Sequence, residues 1–134
     1  MSFHTADPIC FGCEQKLLNA DPRLGDWFRH DVKPNFPDAH ISCSFRDQID
    51  QNQAVLDKKS QLQWPKSAHN NMQGTLPYAR ALDLFEQNAA FPNGKWDPKF
   101  FTSLNSYNIK NGISLRWGGM FKSIGDFDHF EMIN

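Results

Sequence analysis

The sequence predicts an α+β domain, a small antiparallel sheet packed with helices, spanning residues 1–134 as one unit. Three observations carry that expectation. His40-Ile41-Ser42-Cys43-Ser44-Phe45 alternates, with Ile41, Cys43 and Phe45 on one side and His40, Ser42 and Ser44 on the other, as a half-buried strand does. Ala79 to Phe85 is a second short strand-like run. Asp21-Pro22 and Asp97-Pro98 each place a capping carboxylate before a proline, the start of a helix.

Taken in order, residues 1–13 read as an irregular lead-in, and Glu14 to Asn19 starts a helix through Leu17 and Leu18. After Asp21-Pro22, residues Leu24, Trp27 and Phe28 fall at helical spacing until Lys33-Pro34-Asn35-Phe36-Pro37 breaks the segment. The strand at His40 follows. Asp47 to Leu56 reads as a polar helix with Ile49, Val55 and Leu56 as its apolar contacts. Lys58 to Pro77 is a long polar loop, and a loop of that length in a small domain is more often functional than idle. In the second strand Asp83 shares a face with Ala81 and Phe85, opposite Leu82 and Leu84. Asn93-Gly94 reads as a turn. The second Asp-Pro signal opens a helix marked by Phe100, Phe101, Leu104 and Tyr107, ended by the turn Asn111-Gly112. Ile113 to Trp117 and His129 to Ile133 are short strands flanking Gly118-Gly119 and a loop.

A net charge of −1 leaves no basic footprint for nucleic acid and no polybasic membrane signal, and no run approaches transmembrane length. Three cysteines, Cys10, Cys13 and Cys43, are an odd number, which argues against a secreted disulfide framework. The N-terminus has neither a basic start nor an apolar h-region, so synthesis in the cytosol is expected, with exit dependent on something else.

The chemistry gathers on His69, Asp83 and His129. Two imidazoles and one carboxylate suffice as the protein ligands of a catalytic zinc and leave a fourth position for water. Plainer readings stand beside this one. Asp83 would be a buried ion-pair partner of Arg80 or Arg116, His129 a hydrogen-bonded core histidine, and His69 a solvated loop histidine. Cys10-x-x-Cys13 invites a second zinc or a redox reading. Cys43, His4, His30 and His40 are the remaining donors, with His4 the first choice as an additional ligand. Most aromatic residues belong in the core, with Trp64 and Trp117 the exceptions expected at a cleft.

The residues flanking the triple resemble the M15 family of zinc peptidases, in particular the phage-type L-alanyl-D-glutamate endopeptidases. The matching stretches are Ser67-Ala68-His69, Ala81-Leu82-Asp83 and Asp126-Phe127-Asp128-His129-Phe130-Glu131. Supporting likeness lies at Phe36 to Ser42, Phe45-Arg46, Trp96 to Phe101 and Arg116 to Gly119, so the resemblance runs over residues 21–133. One departure is the segment between the first histidine and the aspartate, Asn70 to Leu82, which is longer than the family's; the extra residues around Asn71 to Pro77 read as a loop insertion near the site.

The resemblance implies a D,D-peptidase/hedgehog-like metallopeptidase fold and a Zn2+ cofactor held by His69, Asp83 and His129. It implies Asp126 as general base and Arg46 as the arginine that holds or polarises the substrate carbonyl, with Ser67 and Trp117 lining the site. Glu131, on the same face as His129, would orient that ligand or else form a surface pair. The implied activity is hydrolysis of the L-alanyl–D-glutamate bond of the peptidoglycan stem peptide, for phage-driven lysis, by a monomer. Made in the host cytoplasm, it would reach the wall after a separate membrane-permeabilising protein acts. The alternatives are a D,D- or L,D-carboxypeptidase of the same family, or a non-catalytic member that binds wall peptide.

Overall fold

The computed structural model describes residues 9–120 and 126–133. Helix α1 (Phe11–Leu17) is followed by α2 (Pro22–Trp27), which runs through a wider π turn (Phe28–Val32) into the short α3 (Lys33–Asn35). Strand β1 (Ala39–Cys43) and helix α4 (Gln48–Leu56) come next, then the small hairpin β2 (Met72–Gln73) and β3 (Leu76–Pro77). Strands β4 (Ala81–Asn88) and β5 (Phe91–Lys95), helix α5 (Pro98–Lys110), and strands β6 (Leu115–Trp117) and β7 (His129–Met132) complete the order. The fold is α+β.

The main sheet runs β1-β4-β7-β6, antiparallel throughout, with β5 paired to the far end of β4. Its register decides where the chemistry falls. Cys43 pairs with Asp83 and Asp83 with His129, so these three residues form one row across three strands. The next row holds Leu82, Phe130 and Trp117, and the one after it Ala81, Glu131 and Arg116. Because side chains alternate between faces, the Leu82–Phe130 row points into the core and the rows on either side point together to the opposite face.

The core lies between that inner face and the helices. Leu24, Phe28 and Val32 from the α2–α3 stretch, Phe101 and Leu104 from α5, and Ile41, Leu82, Leu84 and Phe130 from the sheet are all essentially inaccessible. Trp27 packs against Phe130 with ring centroids 5.6 Å apart, and its indole N–H donates to Asn108 Oδ1 at 2.9 Å, so the buried nitrogen is satisfied. Both Asp-Pro signals act as read: Asp21 and Asp97 accept backbone N–H bonds two residues on, at 2.9 and 3.0 Å.

Several local expectations give way. Helix α1 begins at Phe11, inside the stretch expected to be irregular. Its cap is Cys10, whose sulfur accepts the Cys13 N–H in place of the usual hydroxyl or carboxylate. The helical run does not break at Lys33; it continues to Asn35, because Pro34 sits in the first turn of α3, where a missing N–H costs little. Asn93-Gly94 is not the turn but part of β5, with Gly94 at φ +92° against the Phe85 ring. The long polar segment contains a 3-10 turn at Ala68–Asn70 as well as the β2–β3 hairpin.

The largest inversion is on α4. Ile49 and Leu56 are 78% and 75% exposed, whereas Gln51 is fully buried. Gln51 Oε1 accepts from Arg46 Nη1 and Asn70 Nδ2, both at 3.0 Å, and its amide donates to Ser60 Oγ at 2.9 Å and to the Leu62 carbonyl. All four hydrogen-bonding valences of that side chain are thus used, and they tie Arg46 and the 60–70 segment to the helix. We expect Gln51→Leu to cost about 1–3 kcal/mol in urea unfolding despite adding apolar bulk, since it orphans several buried groups. Ile49→Gln should stay within roughly 0.5 kcal/mol.

Candidate metal centre

His69, Asp83 and His129 arrive from different parts of the chain and meet on the outer face of the sheet. Asp83 and His129 are cross-strand neighbours on β4 and β7. His69 comes from the 3-10 turn, which is anchored at both ends: Ser67 Oγ accepts the His69 N–H at 3.2 Å, Asn70 Oδ1 accepts the Ser67 N–H at 3.0 Å, and the His69 carbonyl accepts the Arg46 N–H at 2.9 Å. Ser67 therefore holds the turn that carries His69.

The two imidazoles are fixed by their outer nitrogens. His69 Nδ1 lies 2.6 Å from the Ser44 carbonyl and must donate to it. His129 Nε2 lies 2.8 Å from Glu131 Oε1, and Glu131 is itself held by Arg116 across the strand pair at 2.7 Å. The partners thus assign the protons, leaving lone pairs on His69 Nε2 and His129 Nδ1. Those two nitrogens stand 3.1 Å apart, and each is 3.1 Å from Asp83 Oδ1.

Three acceptor atoms in a triangle of that side repel unless a cation lies among them. The centre of such a triangle is about 1.8 Å from each corner, inside the ~2.0–2.1 Å at which zinc binds nitrogen and carboxylate oxygen. The donor set fits a zinc-class ion.

The electrostatics of the protein alone agree. Burial would raise the Asp83 carboxyl, but the neighbouring imidazoles hold it well below the usual carboxylate range. Burial would likewise lower His69, yet the Asp83 charge and hydrogen bond carry it well above the ordinary histidine value. For His129 the hydrogen bonds to Asp83 and Glu131 outweigh burial and raise it to about 9.

Arg46 approaches from the other side. Its Nη2 is 3.6 Å from Asp83 Oδ2, while Gln51 holds Nη1. It pairs with neither Asp47 nor Asp50 in this arrangement. Asp126 Oδ2 is 3.7 Å from His129 Nδ1, at the rim of the triangle. Gly118 makes that placement possible: its carbonyl accepts the Asp126 N–H at 3.1 Å, and a Cβ there would collide with the Asp126 carbonyl and approach His129 Cβ to 3.0 Å.

Arg46, Ser67, His69, Asp126 and His129 line one cleft of about 680 Å³. Trp117 does not join them; it lies in the core, its indole donating to the Phe127 carbonyl at 2.6 Å. Two further groups stand at this centre that the sequence reading did not assign to it. Cys43 Sγ sits 3.7 Å from His69 Nδ1, in the row of Asp83. The Asp128 carboxyl is pushed up to about 8, by burial first and then by the neighbouring carboxylates of Asp83 and Asp126. Cys43 was legible from strand register; Asp128 was not, because its closeness to Asp83 and Asp126 arises only when β7 pairs with β4.

No protein-family model matches the chain, and no curated protein matches it in sequence. Among solved structures it is similar to the crystal structure of the L-Ala D-Glu endopeptidase ChiX of Serratia marcescens. The TM-score is 0.69 at 20% identity, over 98% of this chain and 95% of that one. At that identity the likeness establishes the shared fold.

Elemental analysis should find that His129→Ala loses one equivalent of zinc relative to the unaltered protein. Glu131→Gln, which keeps size but weakens the acceptor for His129 Nε2–H, should retain the site and lower zinc affinity about 10–100-fold in a chelator competition.

Proposed function

We propose that the protein is a zinc peptidase that cuts the L-alanyl–D-glutamate bond of peptidoglycan stem peptides. The observation that carries this reading is the convergence of His69 Nε2, His129 Nδ1 and Asp83 Oδ1 at 3.1 Å, open to a cleft that also presents Asp126 and Arg46. The fold shared with an L-Ala D-Glu endopeptidase and the resemblance of the flanking motifs supply the substrate class.

A zinc ion held by the triangle supplies Lewis acidity, lowering the pKa of water to about 7 and polarising a carbonyl. The chain supplies the rest. Asp126, carboxylate at the rim of the triangle, accepts the proton of the attacking water and returns it to the leaving amine. Arg46, with one nitrogen fixed by Gln51, directs its fork toward the reacting carbonyl, where negative charge develops.

The cleft walls favour an acidic peptide. Arg46, Lys59, Lys66, Arg80 and Arg116 line it, against Asp126 and Glu131, although the whole chain carries −1. Stem peptides carry carboxylates beside the bond in question. On the resemblance of the motifs alone, the setting would be phage-driven lysis, with the wall reached after a separate protein permeabilises the membrane.

Mass spectrometry of purified peptidoglycan digested by the protein should show peptides with a new D-glutamate N-terminus. Release of a single terminal D-alanine would instead establish a carboxypeptidase, and binding without any new product would establish a non-catalytic wall binder. Asp126→Asn should reduce turnover by ~10²–10⁴-fold with zinc retained; near-normal turnover would remove Asp126 as the base. Arg46→Lys keeps the charge but loses the planar fork, and should lower kcat/KM on muropeptides about tenfold or more, roughly 1.4 kcal/mol of transition-state stabilisation.

A further inference from the structure

On the far side of β1 from the cleft lies a second group of donors that the hydrolytic reading does not use. Cys10 and Cys13, at the start of α1, and His40, on β1, are all buried, at 2%, 0% and 2% exposure. We propose that Cys10, Cys13 and His40 form a second, structural metal site for a soft cation of the zinc class, which pins α1 to the edge of the sheet. The redox pair that Cys-x-x-Cys also suggests does not suit the setting, because an imidazole stands against both thiols in a closed pocket. His4, the first choice from sequence for a further ligand, lies outside the described residues.

The distances carry the proposal. His40 Nδ1 is 3.6 Å from Cys10 Sγ and 3.6 Å from Cys13 Sγ. Two ligands at a tetrahedral angle on one ion, with sulfur at ~2.3 Å and nitrogen at ~2.0–2.1 Å, stand about 3.6 Å apart. Both sulfurs are also set up as acceptors. The Cys13 N–H points to Cys10 Sγ and the Ile41 N–H to Cys13 Sγ, each at 3.3 Å, bonds that strengthen when sulfur carries negative charge. The Lys33 ammonium, buried and fixed on the Pro37 and Ala39 carbonyls, is close enough to feel both sulfurs. Two thiolates and an imidazole select soft ions over magnesium or calcium. Binding exchanges the two thiol protons for the cation and releases them to solvent, with no change of oxidation state. A fourth ligand comes from water or a further donor.

The site has something to hold. A seven-residue helix is marginal by itself. The Lys16 carbonyl of α1 accepts from Ser44 Oγ at 2.7 Å, and the Ser44 carbonyl in turn receives His69 Nδ1. An ion at Cys10, Cys13 and His40 therefore steadies the segment that orients His69.

Cobalt(II) added to the reduced full-length protein tests this directly. Two equivalents should bind, and the second should give a near-ultraviolet thiolate-to-cobalt charge-transfer band. That band should survive His129→Ala and Cys43→Ser and vanish in Cys10→Ser, Cys13→Ser and His40→Ala. A wild-type protein without the band, or a band that persists in folded Cys10→Ser and Cys13→Ser, overturns the proposal. If those variants do not fold, X-ray absorption of the unaltered zinc protein decides. With both centres filled, sulfur should appear at ~2.3 Å, averaging one per zinc; a shell of nitrogen and oxygen alone overturns it. So does finding a single reactive thiol after denaturation without reductant, since that means Cys10 and Cys13 are joined as a disulfide. The hydrolytic reading is independent of these outcomes, because its metal has no sulfur ligand.

Discussion

Everything on the outer face of the sheet is arranged around a conflict: three lone pairs, from two imidazoles and a carboxylate, aimed at one point. Left to themselves they repel, and a buried carboxylate such as Asp83 is costly without compensation. The fold prevents the usual escape, in which one side chain swings away. Asp83 and His129 are fixed by strand register, and His69 by a capped turn. The outer nitrogens are tied to the Ser44 carbonyl and to Glu131. A cation is the remaining way to relieve the repulsion, so the scaffold specifies a charge as well as a shape.

The second tier of contacts explains why so much polar material is buried in a small domain. Gln51 holds Arg46, Asn70 and the segment around Ser60 to Leu62 in one network. Ser44 links α1 to His69, and Arg116 backs Glu131 across the strands. Each of these residues touches a group that in turn touches the centre. Networks of this kind stabilise only when every member is satisfied, which is why replacing Gln51 with an apolar residue of similar bulk is not a neutral change.

How much of this the sequence disclosed depends on the scale of the signal. The Asp-Pro helix starts are local and appear as read; the alternation at His40 to Phe45 locates a strand, but that strand is Ala39–Cys43 with a register shift after Ile41, and His40 and Ser44, expected on the polar side, are both buried. That His69, Asp83 and His129 belong together was visible through their flanking motifs, and the structure brings them to one point. What stayed hidden was non-local. Nothing near Gln51 announces that a loop ten residues on will close over it and turn a polar helix face inward, leaving Ile49 outside. The resemblance places Trp117 at the site, but its row of the sheet is the inward one, with Leu82 and Phe130. Asp128 is a polar residue in a polar stretch until β7 draws it against Asp83 and Asp126.

The same electrostatics that favour a metal also favour its simplest competitor. Asp83 raises both histidines above their ordinary range, with Glu131 adding to His129 at about 9, so the site holds protons more tightly than a free imidazole does. A proton between Asp83 and an imidazole relieves the same repulsion as a metal does. Metal binding must therefore displace protons, and affinity falls as pH drops through the raised histidine values. Arg46 shifts this balance. At 3.6 Å from Asp83 Oδ2 it already neutralises part of the carboxylate charge, which weakens the hold of that carboxylate on any cation. An arginine in that position is a cost to metal affinity. Its retention beside the centre makes physical sense if the guanidinium works on something that arrives later, a carbonyl oxygen gaining negative charge, which needs a fixed cation next to the metal and not merely the metal itself.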